Sequence, residues 1–199
     1  MAAEFTATGD GGAAVPLDEV EISILRSLAV QLLELLGPGE EPAHGEDPLA
    51  ALFTEGPSEP PSDPALARLL PDAYQGPDVD PGRVDEETHA ASADFRRYTE
   101  NDLRARKRAD ALVVVRKLDG LDVGAHGGAV LTLDGDESRQ WLGALNDLRL
   151  AIGSRLEVTD EDDGGGLYAL PDDDPRKPMV MAYLWLGALQ ETLIETLSV

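Results

Sequence analysis

Two stretches in the C-terminal third of this 199-residue chain repeat their apolar residues at helical spacing, and that pattern constrains the fold most. Trp141, Leu145, Leu148, Ile152 and Leu156 step by 4, 3, 4 and 4, and Ala182, Leu186, Leu189, Leu193 and Leu197 repeat the stripe. This spacing gathers the apolar side chains on one side of a helix, and that side needs another element to cover it. Two further helices are expected. One opens at Asp18 and Glu19, whose charge suits the positive end of the helix dipole, and runs to Leu36. Ile24, Leu25, Leu28, Leu32, Leu35 and Leu36 recur at helical spacing while Ile22, Ala29, Val30 and Leu33 cover other faces, so this helix is expected to be central in the fold, and Gly37-Pro38-Gly39 stops it. The longest covers residues 85–118, with acids early and Arg116 and Lys117 late; its expected inner stripe is Phe95, Tyr98, Ala105, Ala109, Leu112 and Val113.

Strands are few. Phe5 and Ala7 lead into the turn-rich Gly9-Asp10-Gly11-Gly12, and Ala13 to Leu17 come out of it, a weak hairpin. Ala129 to Leu133 alternates as another short strand, followed by Asp134 and Glu137 at capping-box spacing. A strand therefore leads into a long helix twice, at 13–36 and at 129–156, and the strands can pair in one small antiparallel sheet. The expected fold is mainly α: a bundle of three to four long helices with a small N-terminal antiparallel sheet, in a single domain over 1–199. Residues 37–84 read as a Pro- and acid-rich, partly flexible insertion. Within it Asp47 to Phe53 and Asp63 to Leu70 each open with Asp-Pro, the signature of a capped helical turn. Residues 157–174 read as an acidic, Gly-rich loop.

Charge bounds the function. Sixteen Lys and Arg against 39 Asp and Glu give a net charge of −23, which argues against direct high-affinity nucleic-acid binding and against docking on anionic lipid. The chain has no cysteine, so disulfides, thiolate nucleophiles, thiolate metal sites and thiol redox sensing by its own residues are excluded. The N-terminus lacks the basic and apolar regions of a secretory signal, and no apolar run approaches the ~20 residues of a membrane span. A cytoplasmic protein is expected.

Catalytic and metal signatures are weak. His44, His89 and His126 show no i, i+4 pairing. Asp160-Glu161-Asp162-Asp163-Gly164 starts like a calcium loop, but Pro171 stands where the bidentate Glu is needed. Neither G-x-S-x-G nor a G-K-[ST] phosphate loop occurs. No enzyme, no metal site and no cofactor are expected.

Two constellations remain. Eight of the 16 basic residues fall between Arg96 and Lys117, with only three acids among them. Arg97, Arg104 and Arg108 share one helix face, with Lys107 beside them. This strip is either clasped by the chain's own acidic loops or a docking strip for an acidic partner. Asn146, Asp147, Arg149 and Arg155, with Gly153 to let another helix come close, match Gln190 on the last helix as a polar network joining two helices. The last helix also carries more apolar surface than one face needs, which leaves a homodimer open.

Three segments carry a family likeness: Tyr98-Thr-Glu-Asn-Asp-Leu-Arg-Ala-Arg-Lys107, Leu145-Asn-Asp-Leu-Arg-Leu-Ala-Ile-Gly-Ser-Arg-Leu156 and Trp185-Leu-Gly-Ala-Leu-Gln-Glu-Thr-Leu193. Together they resemble an actinobacterial domain-of-unknown-function family that includes the oxidative-stress transcriptional regulator AosR. Glu100, Leu103, Arg104, Lys107, Asn146, Asp147, Arg149, Gly153, Arg155, Trp185 and Gln190 match its pattern. The resemblance implies a regulatory role exerted on a protein partner such as an alternative sigma factor or RNA polymerase. Its redox-responsive form works through a cysteine pair, which this chain lacks. The functional expectation is a non-enzymatic regulatory protein acting through protein binding; a structural or adaptor protein that associates with itself is the alternative.

Overall fold

The computed structural model describes residues 3–9, 11–38, 55–74, 85–124, 127–158 and 170–198. The helical turn expected at Asp47 to Phe53, His44, His126 and most of the acidic loop (159–169) lie outside the described residues. The order is β1 (Thr6–Ala7), β2 (Ala13–Asp18), α1 (Glu19–Leu36), α2 (Pro64–Leu69), α3 (Glu86–Asp119), β3 (Gly128–Leu133), α4 (Gly135–Arg155) and α5 (Lys177–Leu197). The strands form one antiparallel sheet in the order β1-β2-β3, so the expected mainly α fold with a small N-terminal sheet is what the chain adopts.

The sheet and two of the helices share one device. β2 and β3 pair from Ala13↔Leu133 to Asp18↔Gly128, with Val15 opposite Leu131. Three residues on from each member of that pair stands an aspartate, Asp18 at the last position of β2 and Asp134 just past β3, that caps the next helix. The Asp18 carboxylate accepts from the Glu21 N–H at 2.8 Å while Glu21 accepts from the Asp18 N–H at 2.9 Å. Asp134 and Glu137 repeat this at 2.8 and 3.0 Å. Each box satisfies orphan donors at both ends of the first turn and fixes where the strand stops. The strand-then-helix echo of the sequence is thus a shared local structure. Pro16 interrupts β2 beyond the reach of β1, which pairs only Ala13 and Ala14; there β2 is in effect an edge, where a proline is tolerated.

Burial follows the pleat. Ala13, Val15, Leu17, Leu131 and Leu133 are buried on one sheet face. They join Leu25, Leu32 and Leu36 of α1, Trp141, Leu145, Leu148 and Ile152 of α4, and Leu186, Leu189 and Leu193 of α5 in one core. Of the stripes expected on α4 and α5, Trp141, Leu145, Leu148, Ile152, Leu186, Leu189 and Leu193 are buried, while Leu156, Ala182 and Leu197 at the ends are half-buried. Phe5 meets the fully buried Trp141 edge-to-face at 6.3 Å, and its N–H donates to Thr192 Oγ1 at 3.1 Å, so the β1 arm closes over α4 and α5. α2 begins as Asp63-Pro64 implies: Asp63 accepts from the Leu66 N–H at 2.9 Å, and Pro64 sits where a missing N–H costs nothing.

Two stripes differ from expectation. On α1 the buried positions are Ile22, Leu25, Ala29, Leu32 and Leu36, while Ile24 is 41% exposed. A helix apolar on most sides does not disclose its inner face by hydropathy alone. On α3 the difference is larger. The buried residues are Ser92, Arg96, Glu100, Ala111, Val114 and Leu118; Phe95, Tyr98, Ala105 and Ala109 are exposed. The first half of α3 turns charge inward and aromatic rings outward.

Candidate interaction sites

Arg96 is 4% exposed and Glu100 3% exposed, one turn apart on α3. Burying charge is costly unless every group is paired and hydrogen-bonded, and here the pairing is dense. Arg96 donates to Glu100, to the Leu70 carbonyl at 2.9 Å and to Asp72 Oδ1 at 2.9 Å. The other Glu100 oxygen accepts from Arg104 at 2.6 Å. Arg104 also donates to the Leu36 carbonyl at 2.6 Å, and Arg108 to the carbonyls of Leu33, at 3.1 Å, and Gly37.

These acceptors have a common origin. Leu33, Leu36 and Gly37 are the carbonyl end of α1, which has no basic residue in its own last turn, and Leu70 is the C-cap of α2. A helix C-terminus leaves carbonyls unbonded and carries partial negative charge. The basic strip of α3 supplies both the donors and the cations. Of the four strip residues, Arg104 and Arg108 cap α1. Arg97 is half-buried and ion-paired with Asp94 at 2.6 Å and Glu55 at 3.6 Å, with its guanidinium 5.2 Å from the Tyr98 ring centre. Lys107 meets Asp147 of α4 at 2.6 Å. The strip is tied to backbone carbonyls and to single acids from four segments.

The α3–α4 seam holds a second charged group. Asp147 is 3% exposed, and burial pushes its carboxyl up against the opposing pull of Lys107. Asp110 is pushed up by burial too, with Arg106 and Lys107 pulling it down and Asp147 adding to the rise. The Asp110 carboxylate lies over Gly143, where a Cβ would come within 2.9 Å of its oxygen, so the absence of a side chain there lets the helices close.

The polar network expected between α4 and α5 forms in part. Arg149 donates to Gln190 Oε1 at 2.6 Å, and Gln190 Nε2 donates to Asn146 Oδ1 at 3.4 Å. The Arg149 guanidinium sits 5.2 Å from the Tyr183 ring centre and lies over Gly187. Gly153 receives the edge of that ring, the close approach its position suggests. Asp147 faces α3 instead, one residue round the helix from Asn146. Arg155 is exposed and outside this group. Arg149, Tyr183, Leu184, Gln190 and Ile194 line an open groove along the α4–α5 seam.

The i, i+4 spacing makes the Glu100–Arg104 pair legible in the sequence, but the part of Arg96 and the burial of the group are not, because buried charge looks like solvated charge. One signal was present: Arg96, Glu100, Arg104 and Arg108 recur every four residues, and α1 ends without a cation of its own. No described helix is long and apolar enough to cross a membrane.

Residues 1–197 match the family described as "Domain of unknown function (DUF2017)". The chain is also similar to the protein named "Oxidative stress regulator AosR" of Mycobacterium tuberculosis (strain ATCC 25618 / H37Rv) and of Mycobacterium bovis, 32% identical over 179 residues, covering 87% of this chain and 77% of theirs. "Putative oxidative stress regulator AosR" of Mycobacterium leprae is 31% identical over 182 residues, at the same coverage. No solved structure matches this chain significantly.

Proposed function

The chain belongs to the DUF2017 family, and from that premise we propose that it is a non-enzymatic regulatory protein of the cytoplasm that acts by binding another protein, in transcription control, with an alternative sigma factor or RNA polymerase as its partner. The observation that carries this reading is its likeness, over 87% of its length, to proteins named as regulators of oxidative stress. The α4–α5 groove supports it: Arg149 and Gln190, the latter bonded to Asn146, offer polar recognition beside Leu184 and Ile194, the mixture that protein contacts use. With no cysteine in the chain, no response to oxidant passes through a thiol of its own.

Purified full-length chain is tested against purified RNA polymerase core and against each alternative sigma factor of the source organism by biolayer interferometry. Binding to one of them, lost on Ile194→Lys and unchanged after brief peroxide treatment of this chain, is the expected result. Ile194 is 46% exposed, so that change leaves the fold intact. Failure to bind any of them removes transcription control from the reading.

A further inference from the structure

The outward face of α3 carries a pattern that the core does not use. Positions 91, 95, 98, 102, 105, 109, 112 and 116 step by 4, 3, 4, 3, 4, 3 and 4, the spacing of a helix–helix seam. They read Ala, Phe, Tyr, Asp, Ala, Ala, Leu and Arg. The buried positions of α3 lie on its opposite side. Phe95 is 47% and Tyr98 66% exposed, Tyr74 meets the Phe95 edge at 6.0 Å, and Ala91, Asp102, Ala105, Ala109 and Arg116 are exposed, with Leu112 half-buried. Two large rings in line with alanines make a strip about 38 Å long at 1.5 Å per residue, apolar except for Asp102 near its middle and Arg116 at its end.

We propose that this strip pairs antiparallel with α3 of a second copy of the chain. Side-chain size argues for that occupant. Run in opposite directions about a centre between residues 103 and 104, the strip sets Phe95 against Leu112 of the other copy, Tyr98 against Ala109, and Asp102 against Ala105. Tyr98 meets a small residue, Phe95 meets Leu112 in apolar contact, and Ala105 and Ala109 let the backbones close. A parallel pairing would set Phe95 on Phe95, Asp102 on Asp102 and Arg116 on Arg116. Charge argues the same way. The exposed acids Glu87 and Asp94 lie in the first third of α3 and Arg116 near its end. The antiparallel arrangement puts Arg116 between Glu87 and Asp94 of the other copy and Arg106 beside its Asp102; opposite charges steer and fix the register. This inference is independent of the regulatory reading, since it concerns a different face and a different occupant.

The test uses the full-length chain. Sedimentation velocity over a dilution series is expected to show a dimer that dissociates at low concentration. Tyr98→Arg, at a position that folding does not bury, is expected to weaken it at least tenfold with an unchanged circular dichroism spectrum. Arg116→Glu is expected to weaken it too, and adding Glu87→Arg and Asp94→Arg to restore it. Because the chain has no cysteine, single cysteines report orientation cleanly. Ala105→Cys lies near the proposed axis and is expected to cross-link with a short bismaleimide, while Ala91→Cys, far from it, is not. A monomer at all concentrations overturns the proposal, whether the strip is bare or takes another protein's helix. So does a dimer indifferent to Tyr98→Arg, or one that cross-links equally at both positions.

Discussion

The seam joining α3 to α1 and α2 and the seam joining α4 to α5 are both crossed by arginines, yet they differ in what surrounds the charge. At the first, Arg96 and Glu100 are almost wholly out of water, and every carboxylate oxygen of Glu100 has a guanidinium on it. At the second, Arg149 is half-buried, lies along Tyr183 and bonds a neutral amide in an open groove. The lesson is one of dielectric. A buried pair costs desolvation that only complete pairing repays, so removing one member is expensive, whereas a wet pair can lose a member and find water.

The sharpest break in that comparison is Glu100→Ala. It leaves Arg96 buried with half its charge partners gone and frees Arg104 from one of its two anchors. The expected cost is about 3–5 kcal/mol in urea unfolding, the usual penalty for orphaning a buried charge. Replacing Arg96 and Glu100 together by Met and Leu should cost far less, because no unpaired charge is then left inside. A Glu100→Ala cost below about 1 kcal/mol would mean the triad is hydrated, and the contrast between the two seams would collapse.

Next comes Arg104→Ala. It removes the donor to Leu36 and one of the two donors to Glu100, and about 1.5–3 kcal/mol is expected from losing hydrogen bonds to a charged group and a helix end. Arg108→Ala touches only the α1 carbonyls, so about 0.5–2 kcal/mol is expected. Hydrogen exchange should localise both losses to the last turn of α1. Uniform loosening of the whole chain would contradict capping as their main role.

How legible these seams were in the sequence differs for the same physical reason. The helices α4 and α5, their stripes, the Asp134–Glu137 box and the Asp63-Pro64 start could be read because each depends on local spacing or on apolar residues going inside. The Asn146–Arg149–Gln190 contact was legible too, since polar residues stood where the stripes required a helix interface. The inner face of α3 was not. Hydropathy placed Phe95 and Tyr98 inside because it cannot know that Arg96, beside its pair with Glu100, has the Asp72 carboxylate and the Leu70 carbonyl waiting 24 and 26 positions away. Asp147 was assigned to the wrong neighbour for a related reason: it and Asn146 are adjacent in sequence but face different helices.

At the wetter seam, Arg149→Ala should cost only about 0.5–1.5 kcal/mol, the net worth of one partly hydrated hydrogen bond and its ring contact. Gln190→Ala should cost no more, and the double change should cost less than the sum if the two share that bond. A loss as large as that of Glu100→Ala would place the α4–α5 contact in the same low-dielectric class and erase the difference argued above.

The α3–α4 seam lies between these extremes, and pH reads it with the smallest effect. Burial raises the carboxyls of Asp110 and Asp147 above the ordinary aspartate value of 3.8. A carboxyl raised in the folded chain is ionised there at a cost, so at neutral pH each opposes folding. As pH falls through the raised folded value the folded chain takes up the proton first and that penalty fades; below 3.8, where the unfolded chain is protonated as well, it is gone. Asp110→Asn removes the charge without removing the hydrogen-bonding atoms over Gly143, and Asp110 has no hydrogen bond to Lys107 to lose. It should therefore raise the melting temperature at pH 7 by roughly 1–3 °C and leave it unchanged near pH 3.5. Asp147→Asn should gain less at pH 7, since it relieves the same burial but gives up part of the Lys107 contact, the amide oxygen being a weaker acceptor for the ammonium than the carboxylate. If both variants stabilise alike at neutral pH, Lys107 is solvated and the seam belongs with α4–α5; if both destabilise, the charge on Asp110 is itself part of what holds α3 against α4.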